Sequence, residues 1–100
     1  MSTHPAKLVT IICEALAREP LQKLLTEVGA HGYTLFTVEG QGNQGRRTAD
    51  IQEFANIQVE VIVPQAVATV LLERLEKEFF ATFAMVAYET DIRVVRAQKF

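Results

Sequence analysis

Residues 33–63 have the sequence YTLFTVEGQGNQGRRTADIQEFANIQVEVIV, which decides the fold because two strand patterns flank a long glycine-rich separation. Tyr33–Val38 is rich in β-branched and aromatic residues, as expected for a strand. From 55 to 63 apolar and polar residues alternate until Pro64, which predicts a second strand with one polar side. Gly40–Asp50 contains three glycines and no large apolar side chain, which predicts a long mobile loop.

Upstream of this stretch, the sequence predicts one strand and one helix. Lys7–Cys13 is β-branched and almost wholly apolar, as expected for a strand covered on both faces. Leucines at helical spacing follow, and Pro20 suits only a first helical turn, so we expect the regular helix to begin near Glu19. Gly29 and Gly32 should end it, because glycine tolerates the left-handed conformation found at helix ends.

Downstream, the pattern predicts a second helix and a last strand. Gln65–Phe80 has apolar residues at helical spacing, and its charged face, predicted to serve only solvation, consists of Glu73, Arg74, Glu76 and Lys77. Met85–Arg96 is the last strand, and we expect a bulge or bend at Glu89–Asp91, where three polar residues interrupt it.

The predicted order is therefore βαββαβ, an α+β arrangement of the ferredoxin-like kind. It has a four-stranded antiparallel sheet with two helices on one face. The other face of so apolar a sheet would be left bare in a single chain. A contiguous exposed apolar patch of that size indicates an interface, so we expect a homo-oligomer that buries sheet against sheet.

Composition limits the classes of function. A chain of 100 residues forms one domain, 1–100, for which we expect a flexible tail at 1–6. No apolar run approaches the roughly 20 residues of a membrane span, and the N-terminus lacks a secretory pattern, so we expect no membrane insertion and a cytoplasmic protein. Cys13 is the single cysteine and should be a buried structural thiol. The net charge of −2 argues against nucleic acid as a partner.

Three segments together resemble a known family. Gly29–Thr34, then Val38–Gly42 with the long loop, then Ala55–Glu60 are similar in order and separation to the PII signalling superfamily. Within it the match is nearest to the PII-like groups linked to inorganic-carbon handling, the SbtB and carboxysome-associated PII proteins. The resemblance extends over residues 7–96.

The resemblance implies a regulatory sensor and not an enzyme. Members are trimers that bind adenine nucleotides in three clefts between neighbouring subunits. The loop corresponding to Gly40–Phe54 is their T-loop, which changes shape with ligand and docks on a target protein. For this chain the implied target is a bicarbonate transporter or a carboxysome component, and the implied location is the cytoplasm, in association with carboxysomes.

Two departures from the nitrogen-regulatory members reduce the number of ligands that we expect. Their lysine-bearing phosphate loop is replaced by Phe79–Met85, and the T-loop has no tyrosine to modify. A site without that lysine suits a mono- or diphosphate better than ATP. We therefore expect ADP or AMP, with bicarbonate as a candidate second ligand and no catalytic cofactor.

The candidate binding residues combine flexible backbone with cationic side chains. Closely spaced glycines let successive N–H groups approach an anion, and arginine forks suit phosphate or bicarbonate oxygens. The loop residues in this set are Gly40, Gln41, Gly42, Gly45, Arg46 and Arg47. The resemblance adds Thr34, Asn56, Glu60, Arg93 and Arg96. The alternative is that none of these residues binds a ligand. The loop would then be solvated, and the five residues added by the resemblance would be ordinary strand or surface positions.

Two other functions share this topology. A CutA-like metal-tolerance or scaffolding trimer is one alternative, but His4 and His31 have no second ligand at metal-binding spacing, so we expect no metal site. A small acylphosphatase-like enzyme is the least favoured, because that chemistry needs an arginine-bearing phosphate loop after the first strand. Here Cys13-Glu14-Ala15-Leu16 stands in that place.

Overall fold

The computed structural model describes residues 2–40 and 56–95. Its four strands form one sheet in the order β2-β3-β1-β4, and every neighbouring pair is antiparallel. The predicted βαββαβ ferredoxin-like fold is therefore confirmed. The elements are β1 (His4–Glu14), a 3-10 helix (Ala15–Ala17), α1 (Arg18–Glu27), β2 (Tyr33–Val38), β3 (Asn56–Val63), α2 (Gln65–Glu78) and β4 (Met85–Val94).

The core lies between the two helices and one face of the sheet. Alternate residues of the central strands, among them Val9, Ile11 and Val59, have no exposed surface. They meet leucines that recur at helical spacing on both helices: Leu21, Leu25, Leu71 and Leu75. Cys13 belongs to the same cluster and is 1% exposed, so it is buried as the sequence predicts.

The first helix begins and ends as its sequence indicates. It starts at Arg18, which places Pro20 in the first turn, where its missing N–H is tolerated. It ends in a Schellman motif: Ala30 N–H donates to Leu25 O (2.8 Å), and Gly29 lies just beyond with φ at +88°. This left-handed residue turns the chain toward β2.

The pairing between β1 and β4 differs from the prediction in two places. β1 begins at His4, so residues 4–6, assigned from sequence to a flexible tail, pair with β4 from Val94 inward. The bulge expected at Glu89–Asp91 is also wrong, because β1 and β4 pair one residue to one throughout. Those charges are accommodated because Lys7 on β1 forms an ion pair with Glu89 (3.5 Å) and with Asp91.

The second helix ends at Glu78, two residues before the predicted Phe80. Its charged face does more than solvate the helix. Arg74 donates to Glu78 on its own helix (2.8 Å) and pairs with Glu27 on α1 (2.9 Å), so one guanidinium joins the two helices. Within 2–40 and 56–95, no helix is long and apolar enough to cross a membrane.

Candidate functional site

One face of the sheet carries no helix, and we call it the open face. It is formed by the even-numbered residues of the strands, since side chains alternate along a strand. Several large apolar groups there are exposed: Phe36 (39%), Val86 (51%) and Tyr88 (48%). The register aligns Phe36, Gln58, Ile12 and Val86 in one row across the four strands, so Phe36 lies at one edge of the open face and Val86, with Tyr88 two residues further along β4, lies at the other.

A polar row crosses the open face at its middle. Thr34, Glu60, Thr10 and Tyr88 are successive cross-strand partners from β2 to β4. Thr10 is only 3% exposed because it lies on the central strand. Gln58 Nε2 donates to Glu60 Oε2 at 3.1 Å, which orients that carboxylate on the face. The predicted site residues Thr34 and Glu60 are thus neighbours on one surface.

A second group lies where β1, β2 and β3 meet the segment that follows Gly40, and we call it the loop end of the sheet. Glu14 and Val38 flank Asn56 in register, and Asn56 is 8% exposed. Gly40 is exposed two residues past Val38, and a Cβ there would meet nothing within 4 Å. Predicted site residues Gly40 and Asn56 therefore share this end.

Glu14 also fixes the connection between α2 and β4 at the loop end. Its carboxylate Oε2 accepts the backbone N–H of Ala84 at 2.8 Å, and its own N–H donates to Ala84 O at 3.3 Å. The preceding turn is closed internally, with Phe83 N–H donating to Phe79 O at 2.9 Å and the two rings 5.8 Å apart. The segment that replaces a lysine-bearing loop is therefore a turn closed by its own backbone hydrogen bonds and by one contact between two aromatic rings.

Arg93 lies at the opposite end of the sheet. It pairs with Pro5 on β1. Because side chains alternate along a strand, Arg93 lies on the same face as Asp91, which is the face that carries the helices. A cavity of about 600 Å³ opens beside it, lined by Pro5, Ala6, Lys7, Gln65, Asp91, Ile92 and Arg93. The hydrogen bond to Asp91 raises the pKa of Lys7, so this ammonium is held as a partner of the carboxylate.

The structure thus separates the predicted residues into groups. Along β1, Pro5 (opposite Arg93) and Glu14 (opposite Asn56) are about 30 Å apart at about 3.3 Å per residue. One protomer therefore does not bring Arg93 to Asn56. The remaining predicted residues lie outside the described ranges: Gln41, Gly42, Gly45, Arg46, Arg47 and Arg96.

Sequence reasoning did not assign Glu14 or Tyr88 to any site. Glu14 and Ala84 are 70 positions apart, and their contact joins a side chain to a backbone group, so no spacing in the sequence signals it. Tyr88 could have been found, since it alternates with the inward-facing Ala87 of β4. In the described part of the chain, no three potential metal-ligating side chains come together.

Comparison with known proteins gives one family and a consistent set of structures. The family model described as Nitrogen regulatory protein P-II matches residues 6–99. A putative PII-like signalling protein from Thermus thermophilus is 40% identical, with a TM-score of 0.86, and the match covers 100% of this chain and 99% of that one.

A second solved structure is CPII from Thiomonas intermedia, a PII-like protein described as bound to ADP and bicarbonate. It is 31% identical with a TM-score of 0.87, covering 99% of this chain and 97% of that one. A DUF3240 family protein from Shewanella baltica is 20% identical over 92% of each chain, with a TM-score of 0.68, and it supports the fold alone.

Proposed function

The chain belongs to the nitrogen regulatory protein P-II family, and from that premise we propose that it is a sensor of ADP or AMP. In this proposal three protomers assemble, and each cleft between neighbours holds one nucleotide. Bicarbonate binds with it, and the segment 40–54 reports the bound state to a protein partner in inorganic-carbon metabolism.

The observation that carries the proposal is the full-length likeness to CPII, a protein described as binding ADP with bicarbonate. A further CPII structure, described as bound to ADP, AMP and bicarbonate, is 30% identical and supports the same ligand class. Adenylates with one or two phosphates also agree with the turn at 79–84, where no lysine is present to hold a third phosphate.

The open face supports the assembly. An exposed surface that includes Phe36, Val86 and Tyr88 is costly in water, at roughly 25 cal/mol per Å² of apolar area. Burying it against the same face of other protomers removes that cost. The proposal therefore has the three sheets inside and the helices outside.

The spacing of the candidate residues supports a site between chains. Gly40 and Asn56 lie at the loop end, whereas Arg93 is about 30 Å away along β1 and Glu60 is at mid-sheet. A nucleotide contacting both groups has to take them from two protomers. In this arrangement the glycine and arginine residues 40–47 and Asn56 come from one chain, and Thr34, Glu60 and the arginines at 93 and 96 come from its neighbour.

The role of the segment 40–54 follows from its composition. Its glycines allow the backbone to approach an oxyanion closely, and arginines 46 and 47 provide positive charge. Contact with the ligand would select one conformation of the segment. A target that recognises that conformation binds in a ligand-dependent way. We propose a bicarbonate transporter or a carboxysome component as the target, in the cytoplasm, and no catalytic reaction.

The proposal is tested by calorimetry with AMP, ADP, ATP and cyclic AMP, each with and without bicarbonate, on protein whose mass in solution is measured by sedimentation. We expect a trimer that binds ADP or AMP. If bicarbonate shares the site, it tightens nucleotide binding and nucleotide tightens bicarbonate binding by the same factor, since linkage is reciprocal. A monomer, or a trimer indifferent to all four nucleotides, would contradict the proposal.

The alternatives predict different results. A CutA-like scaffolding trimer would assemble but show no ligand-dependent protection of the segment 40–54 from protease. An acylphosphatase-like enzyme would turn over an acyl phosphate. The end of β1 and the residues that follow it, Glu14-Ala15-Leu16, provide no cation for that reaction, so we expect no turnover.

A further inference from the structure

The turn between α2 and β4, residues 79–84, has almost no backbone donors left for a ligand. The N–H groups of Phe79 and Phe80 donate to Leu75 O at 3.0 and 3.1 Å. Those of Thr82 and Phe83 donate to Phe79 O at 3.0 and 2.9 Å. A turn can bind an oxyanion through such groups only when they are free. Here four of them are used within the turn and the end of the helix.

Glu14 occupies a fifth donor, and it does so with a negative charge. The Ala84 N–H donates to its carboxylate at 2.8 Å in a partly buried contact. The geometry is that of an oxyanion on a backbone amide, so the protein's own carboxylate stands where an anionic ligand would bind. Glu14 is also the register partner of Asn56, which places that charge at the loop end of the sheet.

We propose that Glu14 determines ligand selectivity, admitting AMP and ADP to the loop end of the sheet and disfavouring ATP. This inference rests on the proposed function, since it assumes an adenylate whose phosphates approach Gly40 and Asn56. The carboxylate acts in two ways: it withholds the Ala84 N–H from the phosphate chain, and it repels added phosphate charge.

The repulsion scales with the length of the phosphate chain. AMP carries fewer negative charges than ATP, so the Glu14 carboxylate repels it less. Each further phosphate adds charge in a region that already contains the Glu14 carboxylate. Because this contact is only partly exposed, solvent and salt screen it less than they would a surface pair.

Glu14→Gln is the informative variant, because its amide oxygen can still accept the Ala84 N–H while the charge is removed. We expect ATP affinity to rise by about tenfold relative to AMP affinity, the size of effect that one partly screened charge produces. Glu14→Asp keeps the charge on a shorter side chain and should retain most of the preference for AMP. Glu76→Gln, on the exposed surface of α2, changes the net charge equally at a remote position and serves as the matched control.

Calorimetric dissociation constants for AMP, ADP and ATP with all four proteins decide the matter. A rise in relative ATP affinity in Glu14→Gln alone supports the inference. If wild-type protein binds AMP and ADP but Glu14→Gln has the same ratios of dissociation constants among the three nucleotides as Glu76→Gln, the inference is overturned and the proposed function stands. If wild-type protein prefers ATP, Glu14 does not act in this way. If it binds no adenylate, the proposed function fails first.

Discussion

Arg93 and Asn56 lie at opposite ends of one sheet, the first paired with Pro5 of β1 and the second with Glu14 of the same strand. The separation along β1 is about 30 Å, several times the length of a diphosphate group. If both ends of the sheet contribute to one site, each site has to be shared between two chains. That requirement can be tested without a structure of the assembly.

The first prediction is complementation between two inactive variants. If the proposed shared site exists, Asn56→Ala removes a contact from one of its sides, and the double variant Arg93→Ala/Arg96→Ala removes the cations from the other. Each should lose most ADP binding by itself. When the two are unfolded together and refolded as mixed trimers, about a quarter of the clefts combine two intact halves and should bind again, as random assembly of a cyclic oligomer gives.

Calorimetric stoichiometry measures this recovery, and a mixture of the two trimers that has not been refolded is the control. Recovery in the control as well would mean that exchange occurs without refolding. Absence of recovery in refolded mixed trimers would mean that each chain carries a complete site, contrary to the separation seen along β1.

The second prediction concerns the open face. Val86→Glu places a charge on an exposed apolar patch that the proposed trimer buries, and an unpaired buried charge costs several kcal/mol, so assembly should be lost. Val70→Glu is the matched control, because Val70 is 45% exposed on α2, on the other side of the molecule. Light scattering should give a smaller mass for Val86→Glu and an unchanged mass for Val70→Glu. Equal masses for both variants would place the interface elsewhere.

The third prediction concerns the turn after α1. Gly29 has φ at +88°, so Gly29→Ala should destabilise the fold by about 1–2 kcal/mol even though a Cβ there meets no neighbour. Gly32→Ala has equal space and no positive φ, so its stability should stay within about 1 kcal/mol of wild type. Urea unfolding at one fixed protein concentration compares the two. Similar losses for both would contradict this role of Gly29.

The fourth prediction is a pH dependence at the junction of the helices. The hydrogen bond from Arg74 lowers the pKa of Glu78 below its ordinary 4.5. A lowered folded-state pKa contributes stability above the unfolded-state pKa, and that contribution is lost as the pH falls through the folded-state value. At pH 7 the urea midpoint of the wild type should therefore be higher than that of Glu78→Gln. The difference should shrink as the pH falls through the lowered pKa of Glu78, and it should vanish once that carboxylate is protonated in the folded protein.

The difference at pH 7 should be small, because Arg74 and Glu78 are both partly exposed and solvent screens the pair. Glu76→Gln, on the exposed surface of the same helix, should follow the wild-type midpoint at each pH. A difference between wild type and Glu78→Gln that persists at pH 2 would mean that the substitution acts through packing instead of ionisation.

The sequence was sufficient for elements whose boundaries are set by nearby residues. β2 was predicted with both of its ends, and α2 with its start, because Pro64 cannot continue the preceding strand and the apolar helical spacing begins directly after it. Gly29 was identified as a helix end for the same local reason. The βαββαβ order followed from these boundaries.

The errors arose where the partner of a residue lies far along the chain. Glu89 and Asp91 indicated a break in β4, but Lys7 on β1 provides a cation for both, and the strand continues. Likewise Arg74 was expected to be solvated, and its partner Glu27 belongs to the other helix. The candidate site stays a prediction, and the sequence could name only its residue types, since the distance between Arg93 and Asn56 depends on the strand register.

The charges of β4, one of the two edge strands of the sheet, also affect aggregation. β4 borders β1 on one side and, among the described residues, has no strand beyond it, and it carries Glu89, Asp91 and Arg93 at alternate positions. An exposed strand edge can pair with a strand of another chain and so begin aggregation, and charged residues along the edge strand oppose this pairing. A newly synthesised chain therefore carries its own protection against aggregation during the interval before it finds its partners.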